Sequence, residues 1–119
     1  QEHFSLKRRN DMKEDGFGVG QNKGFRLTYN GITISVQFGP GNYCSKQDLT
    51  TYSFDAPMKQ TEWESPNAEI AIWDVDGNWI TKKVVKRVLK EDINDSVMGY
   101  VTPAQVTKLI SWMWTRKVK

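Results

Sequence analysis

The chain has 119 residues, enough for one domain, and its modest 38% hydrophobic content is offset by five Trp, five Phe and four Tyr, each of which buries a large area. A single Cys excludes an internal disulfide and any site built on several cysteines, and no apolar run approaches the roughly 18–20 residues of a membrane span. The net charge of +3 is unevenly spread: residues 25–81 hold three basic and seven acidic side chains, residues 82–119 nine basic and three acidic, an asymmetry that can orient a protein on a charged partner.

Residues 1–23 carry few apolar side chains and end in scattered glycines. They read as a flexible or loosely docked arm, with Phe4, Leu6 and Phe17 as its large anchors. The polar, basic start has no apolar h-region, so no signal peptide is expected. In "GFRLTYNGITISVQFG", Phe25, Leu27 and Tyr29 alternate with polar residues, and after Asn30-Gly31 so do Ile32, Ile34, Val36 and Phe38. Period two gives one apolar and one polar face, and Asn-Gly suits a type I′ turn, so a β-hairpin is expected over about 25–38.

Residues 39–66 are punctuated by Gly39, Pro40, Gly41, Pro57 and Pro66 and read as loop, with short strands near Leu49–Phe54 and Glu62–Glu64. In "AEIAIWDVDGNWITK", Ile70 and Ile72 share one face, and Ala71, Trp73 and Val75 the other. Asp76-Gly77 is read as the turn of a second hairpin, about 68–81, returning through Trp79 and Ile80. Apolar residues on both faces imply a central strand or one covered twice. "KKVVKRVLKED" fits a helical face through Val84, Val85, Val88 and Leu89, while its valines also suit a strand, and periodicity does not decide between them. The last element is a helix over about 103–116: Thr102 is a good N-cap, Pro103 a good first residue, and Gln105 completes a capping box. Val106, Leu109, Ile110 and Met113 form its apolar face, from which Trp112 and Trp114 point elsewhere. The sum is an α+β domain, residues 24–119, in which two antiparallel hairpins form a sheet packed by a C-terminal helix.

Chemistry is sparsely signalled. A nucleophile needs an adjacent base, and the one His (His3) and the one Cys (Cys44) meet only if the arm folds back. "DVDGN" at 74–78 brings its glycine one residue too early for an EF-hand loop and has no closing Glu, so it reads as a turn. "GFGVG" at 16–20 lacks the strand before and the helix after that a dinucleotide fingerprint requires. Asp55, Glu62, Glu64, Glu69, Asp74 and Asp76 show no spacing that singles out a catalytic pair. No catalytic residue, metal or cofactor is therefore assigned, and the chain is expected not to be an enzyme. Two binding sites remain. One is the loop after the first hairpin, where backbone N–H groups around Gly39, Gly41 and Asn42 could hold an anion or nucleotide under Tyr43. The other is a partner surface of Lys82, Lys83, Lys86 and Arg87 with Trp112 and Trp114, which suits an acidic protein or, by phosphate contact and base stacking, a nucleic acid. A plain solvated face fits the same basic residues.

"NGITISVQFGPGNYCS", "SPNAEIAIWDVDGNWIT" and "VMGYVTPAQVTKLISWMW" together resemble small accessory proteins of tailed bacteriophages, over about residues 24–114. The shared features are an NG-then-strand opening, an FGPGNYC-like turn, a WDVDGNW-like hairpin and a TP-capped last helix. The resemblance implies a setting in the bacterial cytoplasm and a non-enzymatic role, binding and modulating a host or host-defence protein. It brings no catalytic residues.

Overall fold

The computed structural model describes residues 14–20, 23–47 and 63–116. They form a five-stranded antiparallel sheet in the order β1-β2-β3-β4-β5, with two helices on one face. The elements are β1 (Gly16–Gly18), β2 (Gly24–Tyr29), β3 (Ile32–Gln37), β4 (Ala68–Asp74), α1 (Thr81–Leu89), β5 (Met98–Val101) and α2 (Pro103–Thr115). The α+β class holds.

The β2–β3 hairpin is the one expected. Asn30 and Gly31 both take positive φ, 59° and 80°, as a type I′ turn demands. The register pairs Tyr29 with Ile32, Leu27 with Ile34 and Phe25 with Val36, and on the far side of β3 it pairs Ile34 with Ile72 and Val36 with Ile70. Apolar rows thus cross three strands on one face. They close against Val84 and Val85 of α1, Val101 of β5, and Leu109 and Met113 of α2. Ile34, Ile70, Ile72 and Leu109 have no exposed surface, and each such burial contributes roughly 1.5–3 kcal/mol relative to exposure. The opposite face is also buried at Thr28, Thr33, Ala71 and Trp73, with the Thr28 and Thr33 hydroxyls 2.8 Å apart. β4 is therefore an interior strand buried on both faces.

The second hairpin is not formed as expected. After β4 the chain turns at Asp74–Asn78, and the return is a single bridge between Trp79 and Trp73. Helix α1 begins at Thr81 and settles the ambiguity of residues 82–92. The reason lies in Ile72. Strand β5 reaches only as far as Ala68 and Ile70, with a bulge between them, so it does not serve Ile72. The Ile80 N–H donates to the Ile72 carbonyl at 2.8 Å, and the Ile72 N–H donates to the Thr81 hydroxyl at 2.9 Å. One residue's backbone and the next residue's side chain do the work of a return strand, and the chain is free to coil into a helix whose Val84 and Val85 cover the sheet.

Two strands lie outside the expected scheme. β1 falls in the stretch read as an arm, and pairs Gly16, Phe17 and Gly18 with Thr28, Leu27 and Arg26. A Cβ at Gly18 would sit 2.6 Å from the Arg26 guanidinium, the far end of a side chain that would have to swing aside. Phe17, read as an anchor, is instead 80% exposed. β5 lies on the other edge, and Gly99 lets Tyr43 approach to where a Cβ would stand 2.7 Å from the Tyr43 Cβ. The next residue, Tyr100, is left-handed at φ 54° and is held by its N–H to the Tyr43 carbonyl at 2.9 Å. The capping box of α2 is present in both directions. Phe4, Leu6, His3 and the strand expected near Leu49–Phe54 lie outside the described residues; so does Glu62, and Trp63 and Glu64 are not strand. No helix among the described residues is long and apolar enough to cross a membrane.

Candidate functional site

Helices α1 and α2 pack against each other over the sheet. There they leave a cleft of about 550 Å³, lined by Ile32, Ile80, Lys83, Val84, Arg87, Trp112, Thr115 and Arg116. Lys83 and Arg87 are four residues apart on α1, so they stand one above the other on a single stripe. Both are exposed. Val84 on the adjoining stripe is buried and forms floor rather than rim.

The α2 wall is fixed by the hairpin turn. Because Asn30 is left-handed, its side chain projects back over the end of α2, and its amide donates to the Arg116 carbonyl at 2.9 Å and to the Met113 carbonyl at 3.4 Å. In return the Arg116 guanidinium donates to the Asn30 carbonyl at 2.7 Å and lies over the Trp112 ring, 5.9 Å from its centroid. This reciprocal clamp ties residues 86 positions apart and holds a cation at the mouth of the cleft. Trp112 is half-buried beneath it.

The α1 wall is fixed by the turn that precedes it. The Asp74 carboxylate accepts the N–H groups of Asp76 and Asn78 at 3.0 and 2.9 Å and the Asn78 side-chain amide at 3.2 Å. Partial desolvation pushes the Asp74 pKa up, but the Asn78 and Asp76 hydrogen bonds, helped by the charge of Lys83, outweigh it and hold the carboxyl below its usual value. The "DVDGN" stretch is thus a self-capped turn. Among the described residues no three His, Cys, Asp or Glu side chains converge where a metal ion would sit.

Of the six residues read as a partner surface, Lys83, Arg87 and Trp112 come together in the cleft. Lys82 and Lys86 do not line it; Lys86 points outward and its Nζ is 3.4 Å from an exposed Asp92 oxygen, a pairing worth little in water. Trp114 lies on another side of α2, stacked on Tyr29 at 5.5 Å with the planes 22° apart, and remains 68% exposed. Arg116 completes the cation set, which sequence alone places only among general basic residues. Asn30 is legible as a turn residue but not as the clamp on α2, because nothing local connects it to residue 116.

The loop at 39–47, a turn that could also hold an anion, spends its backbone donors internally. Asn42 folds back so that its side-chain oxygen accepts the Gly39 N–H at 3.0 Å, and its amide donates to the Glu69 carboxylate at 3.0 Å. The Asn42 N–H goes to the Gly39 carbonyl, the Gly41 N–H to Gln47 and the Cys44 N–H to Asn42. Donors that would have converged on an anion are used within the loop, and a carboxylate stands beside it. Tyr43 covers Gly99 instead of a ligand. Cys44 is buried with its thiol 3.7 Å from the Gly39 carbonyl, a packed side chain. A second groove of about 270 Å³, beside Phe25, Phe38, Val101 and Val106, carries no charged side chain. No protein-family model, curated protein or solved structure matches the chain.

Proposed function

We propose that this domain is a non-enzymatic binding module that engages a partner protein through the α1–α2 cleft. The observation that carries the reading is the convergence of Lys83, Arg87 and Arg116 around a half-buried tryptophan. Basic and aromatic side chains gathered over a desolvated floor are the composition of an interface centre rather than of a general solvated face. The phage-like motifs support the setting proposed with it: an accessory protein acting in the cytoplasm of a bacterial host, with a host or defence-system protein as target.

The test is capture from nuclease-treated bacterial lysate by the tagged full chain. A stoichiometric protein retained in low salt and released as salt rises supports the reading. Retention that disappears with nuclease treatment points to nucleic acid and counts against it, as does recovery of no stoichiometric protein.

A further inference from the structure

The geometry points to a homodimer in which the β1 edge pairs with the β1 edge of a second copy, joining two five-stranded sheets into one around a twofold axis at Phe17. The two edges of the sheet differ. At β5 the Tyr100 N–H is taken by the Tyr43 carbonyl at 2.9 Å, so the 39–47 loop closes that edge. At β1 the edge is open. The two-residue turn at Asn30-Gly31 makes Tyr29 and Ile32 a hydrogen-bonded pair, and by alternation Leu27 also bonds to β3 while Arg26 and Thr28 turn to β1. Phe17 stands opposite Leu27, so its N–H and C=O point away from the sheet, and they meet no partner among the described residues. The side chains beside this open edge are apolar. Phe17 is 80% exposed, and Val19 just beyond the strand is 71% exposed. On the same face, one step past Leu27, Tyr29 carries the exposed ring of Trp114. Natural edge strands are commonly kept apart by a charge or a proline, and Gly16–Gly18 has neither.

A second β1 suits this edge better than an arbitrary strand. Antiparallel pairing centred on Phe17 sets that residue against Phe17 of the second copy with two reciprocal N–H to C=O bonds, and brings the two apolar rows together on the helix side. On the other side it sets Gly16 against Gly18. The Arg26 guanidinium lies over Gly18 and reaches the Val19 carbonyl at 3.4 Å, so a side chain on the neighbouring strand would press on it, and a glycine does not. The seam is self-complementary and closes at two copies. It uses none of the residues that line the α1–α2 cleft.

The experiment is sedimentation velocity on the full chain over a rising concentration series, with Phe17→Lys and Phe17→Pro run alongside. The expected wild-type result is a mass that moves from one chain to two and stops there. Because the Phe17 N–H faces outward, proline removes it without touching the β1–β2 bonds, and lysine sets like charges against each other across the seam. Each variant should weaken self-association by at least about tenfold, with a circular dichroism spectrum and melting temperature that match dilute wild type. Amide exchange on the wild-type chain gives a readout that needs no variant: the Phe17 amide should exchange more slowly at high concentration than at low. A wild-type chain that stays single throughout would overturn the inference, as would a dimer that survives both variants. So would a mass that climbs past two chains, or a Phe17 amide whose exchange ignores concentration. None of these outcomes bears on the lysate capture, so the dimer and the partner-binding reading fail separately.

Discussion

Thr81 joins the sheet to the helix that carries half of the candidate site, and its replacement by Val probes that junction. The residue is fully buried, its hydroxyl accepts the Ile72 N–H at 2.9 Å, and β5 does not extend far enough to offer that N–H another acceptor. Valine keeps the volume and removes the oxygen. The Ile72 N–H is then stranded in the core, a desolvation penalty of about 1–3 kcal/mol. Serine keeps the oxygen and deletes one methyl group, about 0.8 kcal/mol in transfer terms. The Val variant is therefore expected to be the less stable of the two, with a melting temperature about 6–12 °C below wild type if the loss is near 2 kcal/mol. Urea unfolding followed by tryptophan fluorescence gives the free-energy difference directly. A Val variant as stable as wild type, or more stable than the Ser variant, would refute the claim that Thr81 substitutes for a return strand.

Three further outcomes rest on named contacts. Asn30→Ala removes the amide that holds Met113 and Arg116 and places a Cβ residue without a compensating side-chain bond in left-handed backbone; a loss of about 1–2 kcal/mol is expected in denaturant unfolding, with faster exchange of the amides in the last turn of α2. Gly99→Ala drives a methyl group to 2.7 Å from the Tyr43 Cβ, and should destabilise by about 1–3 kcal/mol while raising the reactivity of Cys44 toward a thiol reagent, as the 39–47 loop is displaced. Asp74 has a folded pKa below its unfolded value, so its stabilising effect is complete above the ordinary Asp pKa of about 4 and fades as pH falls through the lowered folded value. Asp74→Asn should thus be less stable than wild type near neutral pH, and the gap should narrow in unfolding curves recorded at progressively lower pH; a gap that widens in acid would contradict the assignment.

The parts of this fold that are legible in the sequence are those whose cause is local. Asn30-Gly31 demands a turn, and the alternation on either side of it sets a face. Thr102, Pro103 and Gln105 write a helix start within four residues. At Asp76-Gly77 the turn is real, but the path of the chain beyond it depends on Thr81 reaching Ile72, a side-chain contact that alternation cannot report. β1 is invisible because three residues of Gly-Phe-Gly carry no periodicity, and their strand state is imposed by pairing with β2. Glycine content alone suggests a nest at 39–47; the deciding facts are the bond from the Gly39 N–H back to the Asn42 side-chain oxygen and the Asn42 amide's bond to Glu69, 27 positions away. The basic character of the cleft is visible from composition. Its selection of Lys83 and Arg87 over Lys82 and Lys86 is not, because that depends on which helix stripe faces Trp112 once Val84 and Val85 are buried.

The most direct test of the central claim is the dissociation constant of the captured partner for wild type and for the Lys83→Glu/Arg87→Glu variant, measured by titration calorimetry at one fixed salt concentration. Reversing two cations on the cleft rim should weaken binding by roughly 30-fold or more, about 2 kcal/mol or greater, with the melting temperature of the free protein recorded alongside because Lys83 also supports the Asp74 carboxylate. A dissociation constant within about twofold of wild type would place the partner elsewhere on the domain and contradict the account.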